Sequence, residues 1–233
     1  MSSEPTKLKL SEVFESIQGE GPSAGLPCVF VRLATCNLHC SYCDTKYTWD
    51  WQNYDYEREV RVVPLAVLAE RITSSGTGRL VITGGEPLLQ QAALSELLAS
   101  LPSELYVEIE TNGTLAPHPV LVERINQWNV SPKLSSAGDP EHLRIRRAAL
   151  VALRDSARAF LKIVIADQAD VAEADALIAE LAWPRERVLF MPQAQTRTEL
   201  AERSPYVVKA CLARGFRFSP RLHIALWGGE RGR

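Results

Sequence analysis

Residues 27–45 read PCVFVRLATCNLHCSYCDT, and the two halves of that stretch ask for different things. PCVFVRLA is a β-branched, aromatic run of strand character. Near-continuous apolarity of this kind belongs to a strand covered on both faces, as in a parallel sheet. The second half sets Cys36, Cys40 and Cys43 in C-x3-C-x2-C, three of the chain's five cysteines. A strand that runs directly into clustered thiols suggests a site built on strand tips.

The same pattern recurs downstream. GRLVITGG, ELYVEIET, WNVSPK, RAFLKIVIA and RVLFMPQA read as further buried strands. Helical candidates lie between them: PLAVLAERITSS, PLLQQAALSELLASL, HPVLVERINQ, EHLRIRRAALVALRDSA, DVAEADALIAELA and RTELAERSPYVVKACLARG. Strand–helix alternation of this length predicts a parallel sheet of βα units. An open doubly wound sheet and a barrel both fit. The strand tips favour the barrel, because TGGEP, ETNGT, SPK and PQAQ all follow strands directly. Six units are too few for the usual eight-stranded closure, so a shorter, partly open α/β barrel is expected, as a single domain over 1–233.

With 233 residues, 46% of them hydrophobic, the chain can bury one sizeable core. A net charge of −2 offers no basic field for nucleic acid or an anionic membrane. MSSEPTKLKLSEVF lacks the apolar run of a secretory leader, and no apolar stretch approaches the roughly 18 residues of a membrane span. A cytoplasmic protein is expected. In a reducing compartment clustered thiols are more often metal-binding or catalytic than disulfide-bonded. Cys28 and Cys211, each alone, read as small buried hydrophobes.

Three readings compete for the cluster. Positions i, i+4 and i+7 share a helix face and could pack inward, but Asn37, His39, Ser41 and Asp44 are poor company for that. A structural zinc wants four ligands. His39 is sandwiched between two candidate ligands, His118, His142 and His223 show no paired spacing, and only Cys211 could add a thiolate. Iron–sulfur chemistry suits soft thiolates, and three cysteines on a four-iron cube leave one iron open to a substrate or cofactor.

C-x3-C-x2-C with Tyr42 before the last cysteine resembles the signature of the radical S-adenosylmethionine superfamily. TGGEP at 83–87 resembles that superfamily's glycine-rich second signature. FESIQGEGPSAGLPCVFVRLATCNLHCSYCDT, VITGGEPLLQ, VEIETNGT and VSPK together resemble the 7-carboxy-7-deazaguanine synthase family across most of the chain; the likeness weakens over 140–180. The resemblance implies a partial (βα)6 TIM-like barrel, a [4Fe–4S] cluster on Cys36, Cys40 and Cys43, and S-adenosylmethionine chelating the open iron. Cleavage of that cofactor would yield a 5′-deoxyadenosyl radical. The implied reaction converts 6-carboxy-5,6,7,8-tetrahydropterin to 7-carboxy-7-deazaguanine with loss of ammonia, aided by Mg2+. A flavodoxin- or ferredoxin-type reductant and a homodimer are also implied.

Residue by residue, the resemblance puts the cluster loop at 36–45 and the substrate segment at 10–27. Ile17, Gln18, Gly19 and Glu20 would meet the pterin with Thr83, and Thr45 would hold magnesium. Tyr42, Asp44, Gly85, Ser131, Pro132, Lys133 and Gln193 would lie on the S-adenosylmethionine side, with Gly85 letting backbone approach the cofactor. Glu110 and Asn112 would shape the ribose region, or form an ordinary Asn-Gly turn. Thr45 read from its own neighbourhood is a loop-capping hydroxyl. Arg32, a cation in an apolar strand, needs a partner, either the substrate carboxylate or an internal acid. The tail SPRLHIALWGGERGR alternates at Leu222, Ile224 and Leu226, as an edge strand would. Two other functions remain open, a glycyl-radical-enzyme activase and a non-catalytic metal-binding module.

Overall fold

The structure, a computed structural model, describes residues 6–233; the first five residues of the stretch read for a leader lie outside them. All six expected parallel strands form: β2 (Pro27–Leu33), β4 (Arg79–Gly84), β5 (Tyr106–Thr111), β6 (Gln127–Val130), β7 (Ala159–Ile165) and β8 (Val188–Pro192). Three more complete the sheet. These are β1 (Lys7–Ile17), β3 (Arg61–Pro64) and the short β9 (Arg217–Phe218). Strand order is β3-β1-β2-β4-β5-β6-β7-β8-β9, with β1 antiparallel to both its neighbours. The edge strands β3 and β9 do not meet, so the sheet is an open, partial barrel.

The helices are α1 (Tyr56–Glu59), α2 (Leu65–Ser74), α3 (Gln91–Ser100), α4 (Pro119–Arg124), α5 (Glu141–Arg144), α6 (Arg147–Asp155), α7 (Gln168–Glu180), α8 (Arg197–Arg214) and α9 (Leu222–Trp227). Local chemistry sets their ends. Asp167 accepts N–H bonds from Ala169 and Asp170 to start α7, and Thr196 and Glu199 form a reciprocal capping box on α8. The stretch read as one helix over 141–157 is two. The break lies at Ile145, whose backbone is extended (φ −117°, ψ 98°), and just before it Arg144 turns inward, donating to the Lys133 carbonyl at 2.9 Å and the Glu173 carboxylate at 2.6 Å.

Residues two apart on a strand share a face. On the helix side, Val31, Ile82, Ile109, Trp128, Ile163 and Phe190 join Leu68, Leu97, Leu150 and Leu177 of the helices in one core. The inner face departs from the all-apolar expectation. Phe14, Cys28, Phe30 and Val81 make a small apolar plug. Beside it the fully buried Glu108 pairs with Arg79 and accepts from Gln127 at 3.0 Å and Asn129 at 3.2 Å. A buried carboxylate is tolerable only when its oxygens are met in this way. The polar inner face is therefore built into the strands, and it leads up to the site.

The C-terminal segment corrects the edge-strand expectation. Residues 222–227 form α9, which ends at the left-handed Gly228. Of the alternating trio, Ile224 is 2% exposed while Leu226 is 51% exposed. Past Gly228 and Gly229 the chain crosses the open side of the barrel, and Arg231 reaches Glu12 on β1 and Glu59 at the end of α1.

Candidate active site

A cavity of about 270 Å³ opens at the C-terminal ends of the parallel strands. Cys36, Cys40, Tyr42, Cys43, Asp44 and Thr45 form one of its walls. The loop that carries them is anchored on three strand tips. Asn37 donates to Thr114 Oγ1 at 2.8 Å and accepts from Asn112 Nδ2 at 2.9 Å, beyond β5. The His39 N–H bonds to Asp139 at 3.1 Å, and the Ser41 N–H to the Ala137 carbonyl at 2.8 Å, beyond β6. Gln195, beyond β8, donates to the Tyr42 carbonyl at 3.0 Å. The segment is not helical, which removes the helix-face reading, although Leu38 and Cys40 are buried with Ala137 in a small cluster that Cys36, Tyr42 and Cys43 pack against.

These residues fit an iron–sulfur cluster. Three soft thiols face one cavity, and N–H donors meet two of them: Leu38 N lies 3.5 Å from Cys36 Sγ and Trp49 Nε1 3.3 Å from Cys43 Sγ. Burial pushes the Cys36 thiol up to about 12 and the Cys40 thiol to about 11, so thiolate there requires a bound cation. Among the described residues no three His, Cys, Asp or Glu side chains gather as a single-ion site. A cube places each thiolate on a different iron and does not need them to converge.

The glycine signature has a more immediate cause than cofactor approach. A Cβ on Gly85 would stand 1.9 Å from the Thr35 carbonyl oxygen and 2.9 Å from the Cys36 nitrogen. On Gly84, whose φ is +135°, it would stand 2.1 Å from the Leu33 oxygen. Backbone meets backbone here, and Gly85 N and Glu86 N donate to Leu33 O and Thr35 O at 3.1 and 2.9 Å. The glycines seat β4 against the start of the cysteine loop. Glu86, fully buried, completes the joint by accepting from Thr111 Oγ1 at 2.8 Å and Asn112 N at 2.7 Å.

The opposite wall is polar and charged. Ile17, the last residue of β1, and Gln18, Gly19 and Glu20 of the connection that follows line the cavity. Gln18 Nε2 donates to Glu110 at 3.3 Å, and Thr83 Oγ1 donates to the other Glu110 oxygen at 2.8 Å. Glu20 pairs with Lys162 and, at 3.0 Å, with Arg221 Nε. Burial alone would raise the Glu20 carboxyl, but the Lys162 ammonium and Arg221 guanidinium outweigh it and hold the group well below the usual range. Lys162 is itself only 4% exposed, and its burial is outweighed by Glu20 and Glu110, which keep it protonated.

The other expected residues fall as follows. Arg32 lines the cavity with Nε held 2.9 Å from Glu12, so the internal partner exists while its terminal nitrogens are free of that bond. Thr45 makes no capping bond, against the loop-cap reading; its hydroxyl lies on the cavity, 3.6 Å from Cys43 Sγ. Ser131 and Lys133 line the cavity and bond to each other at 3.0 Å, while Pro132 between them is buried off it. Gln193 lines it with its carboxamide held by Arg203. Asn112 belongs to a turn closed by its own Oδ1 on Thr114 N at 2.9 Å, at a strand tip and not in a hairpin.

Polar and aromatic lining residues that the sequence reading did not assign to the site include Tyr47, Trp49, Lys162, Arg221, His223 and Arg231. Lys162 carried the signal that singled out Arg32, a lone cation within the apolar run AFLKIVI. Arg221 and His223 carried none, because the tail reads as a strand and reaches the site only through α9. There Leu222 N bonds to the Gly19 carbonyl at 3.0 Å, and His223 lies where any Gly19 side chain would go.

The profile of the Radical SAM superfamily matches residues 31–149. The chain is 39% identical over 234 residues to the 7-carboxy-7-deazaguanine synthase of Pyrobaculum aerophilum, covering 100% of both. With the enzyme of that name from Hyperthermus butylicus it shares 38% over 228 residues, covering 94% of this chain and 92% of the relative. Among solved structures, that of QueE from Escherichia coli superposes with a TM-score of 0.68 at 25% identity, over 91% of this chain and 93% of that one.

Proposed function

The chain belongs to the 7-carboxy-7-deazaguanine synthase family of the radical SAM superfamily, and from that premise we propose how its residues serve that family's reaction. The reaction takes 6-carboxy-5,6,7,8-tetrahydropterin to 7-carboxy-7-deazaguanine with release of ammonia, in the 7-deazapurine and queuosine pathway. The observation that carries the reading is the cavity itself, with three thiols on one wall and the Gln18–Glu110–Thr83 hydrogen-bonding set on the other.

Cys36, Cys40 and Cys43 would hold the [4Fe–4S] cluster, with S-adenosylmethionine against Tyr42, Asp44, Gly85, Ser131, Lys133 and Gln193; Pro132, off the cavity, would only fix the backbone between Ser131 and Lys133. Together these groups supply the hydrogen-abstracting radical chemistry. The protein's own part is binding and orientation. Gln18, Glu20, Thr83 and Glu110 offer donors and acceptors to the pterin edge, and Glu20 stays ionised under Lys162 and Arg221. The terminal nitrogens of Arg32 suit the substrate carboxylate. Thr45, with its hydroxyl on the cavity, would hold Mg2+, an ion that takes one or two protein oxygens and fills the rest with water and substrate. Residues 229–233 of the tail line the cavity on its open side.

A flavodoxin- or ferredoxin-type reductant and a homodimeric assembly belong to the same proposal and rest on the family resemblance. Anaerobic turnover of the carboxytetrahydropterin by the iron-loaded protein, with and without Mg2+, tests it.

A further inference from the structure

We propose that Trp49 tunes the reduction potential of the cluster on Cys36, Cys40 and Cys43 by donating its indole N–H to the Cys43 sulfur. This rests on the cluster-binding part of the reading above and on no feature of the substrate.

The contact is Trp49 Nε1 to Cys43 Sγ at 3.3 Å. An indole is a donor only, so that N–H has one use. It need not have been used: the indole N–H groups of Trp128 and Trp183 are buried with no partner among the described residues. The donor is also held in place. Thr35 N bonds to the Thr48 carbonyl at 2.6 Å, Thr48 Oγ1 to the Thr45 carbonyl at 2.9 Å, and Trp49 N to the Lys46 carbonyl at 3.0 Å. These bonds tie the turn carrying Trp49 to the residues just past β2. Its ring rests against the His39 imidazole, with centroids 4.9 Å apart. Cys36 has a longer donor contact, from Leu38 N at 3.5 Å.

Taking up one electron adds negative charge to the cluster and its sulfurs. A fixed N–H dipole aimed at a ligating sulfur stabilises that charge more than the oxidised form, so it raises the potential. Trp49 would thus make the cluster easier to reduce by an external one-electron donor.

The test is a redox titration of the reconstituted full chain, followed by the electron paramagnetic resonance of the reduced cluster, comparing wild type with Trp49→Phe. Phe keeps an aromatic ring beside His39 while losing the donor and the five-membered part of the indole. The expected result is a more negative midpoint at equal iron and sulfide content. An unchanged or more positive midpoint overturns the proposal, since simple loosening of the loop would admit water and move the value the other way. Should Trp49→Phe fail to hold iron, the wild-type protein labelled with 15N at the indole decides. Hyperfine coupling from that nitrogen to the reduced cluster supports the contact, and its absence overturns it. A chain that takes up no iron would overturn both this proposal and the functional reading. A chain that shows the Trp49 effect but leaves the pterin untouched would overturn only the latter.

Discussion

Arg221 and Asp44 stand 177 positions apart in sequence and meet as a hydrogen-bonded ion pair at the cavity. The same guanidinium donates to Glu20 at 3.0 Å and to the Ala194 carbonyl. One side chain therefore ties the loop after the last cysteine, the turn between β1 and β2, and the tip of β8. Its fork geometry lets it serve several acceptors at once, which a lysine cannot match.

Replacing Arg221 removes the cation shared by Glu20 and Asp44. Arg221→Ala is expected to cost about 3 kcal/mol or more, the scale for breaking a buried ion pair. It should also raise the half-saturating concentrations of S-adenosylmethionine and of the pterin together. Arg221→Lys should recover charge but not the three-way geometry, and so fall between. Urea unfolding and steady-state kinetics check this; wild-type values for the alanine variant would show that the fork holds nothing.

Gly85→Ala places a methyl 1.9 Å from a backbone oxygen, a contact no side-chain rotation relieves. The start of the cysteine loop must then shift away from β4. The expected outcome is a chain that takes up much less iron on reconstitution, read by metal analysis and by loss of the cluster's visible absorbance. Wild-type iron content in this variant would mean the joint between β4 and the loop is slack.

Glu20 has a depressed carboxyl in the folded chain, so its contribution to stability is complete above the ordinary value of 4.5 and is lost as pH falls below it. Lys162 is a principal cause of that depression. Lys162→Met should therefore raise the folded Glu20 pKa and move the acid limb of kcat/KM to higher pH, by about one to three units. An unmoved limb would show that Glu20 is not the group whose ionisation the reaction needs.

The parallel strands were legible because their outer faces are continuous apolar runs, and the thiols because three of them crowd one loop. The inner face was harder to read. Glu108, Gln127 and Asn129 look like ordinary polar positions until the sheet brings them together on the concave side. β1 alternates as a strand should, yet its antiparallel pairing with β2 and β3 depends on partners far along the chain. For α9 the local pattern points to a strand, because Leu222, Ile224 and Leu226 sit at strand spacing. Docking on Gly19 and the left-handed Gly228 decide the conformation there, and neither is visible in a local pattern. Arg221 and His223 are hidden from the sequence for the same reason.

Contraction of a carboxylated pterin in this cavity is tested by anaerobic incubation of the iron-loaded protein with S-adenosylmethionine, a low-potential reductant and 6-carboxy-5,6,7,8-tetrahydropterin, with products identified by mass spectrometry. The expected products are 7-carboxy-7-deazaguanine and one ammonia for each pterin consumed. Cleavage of S-adenosylmethionine with the pterin recovered intact would contradict that contraction.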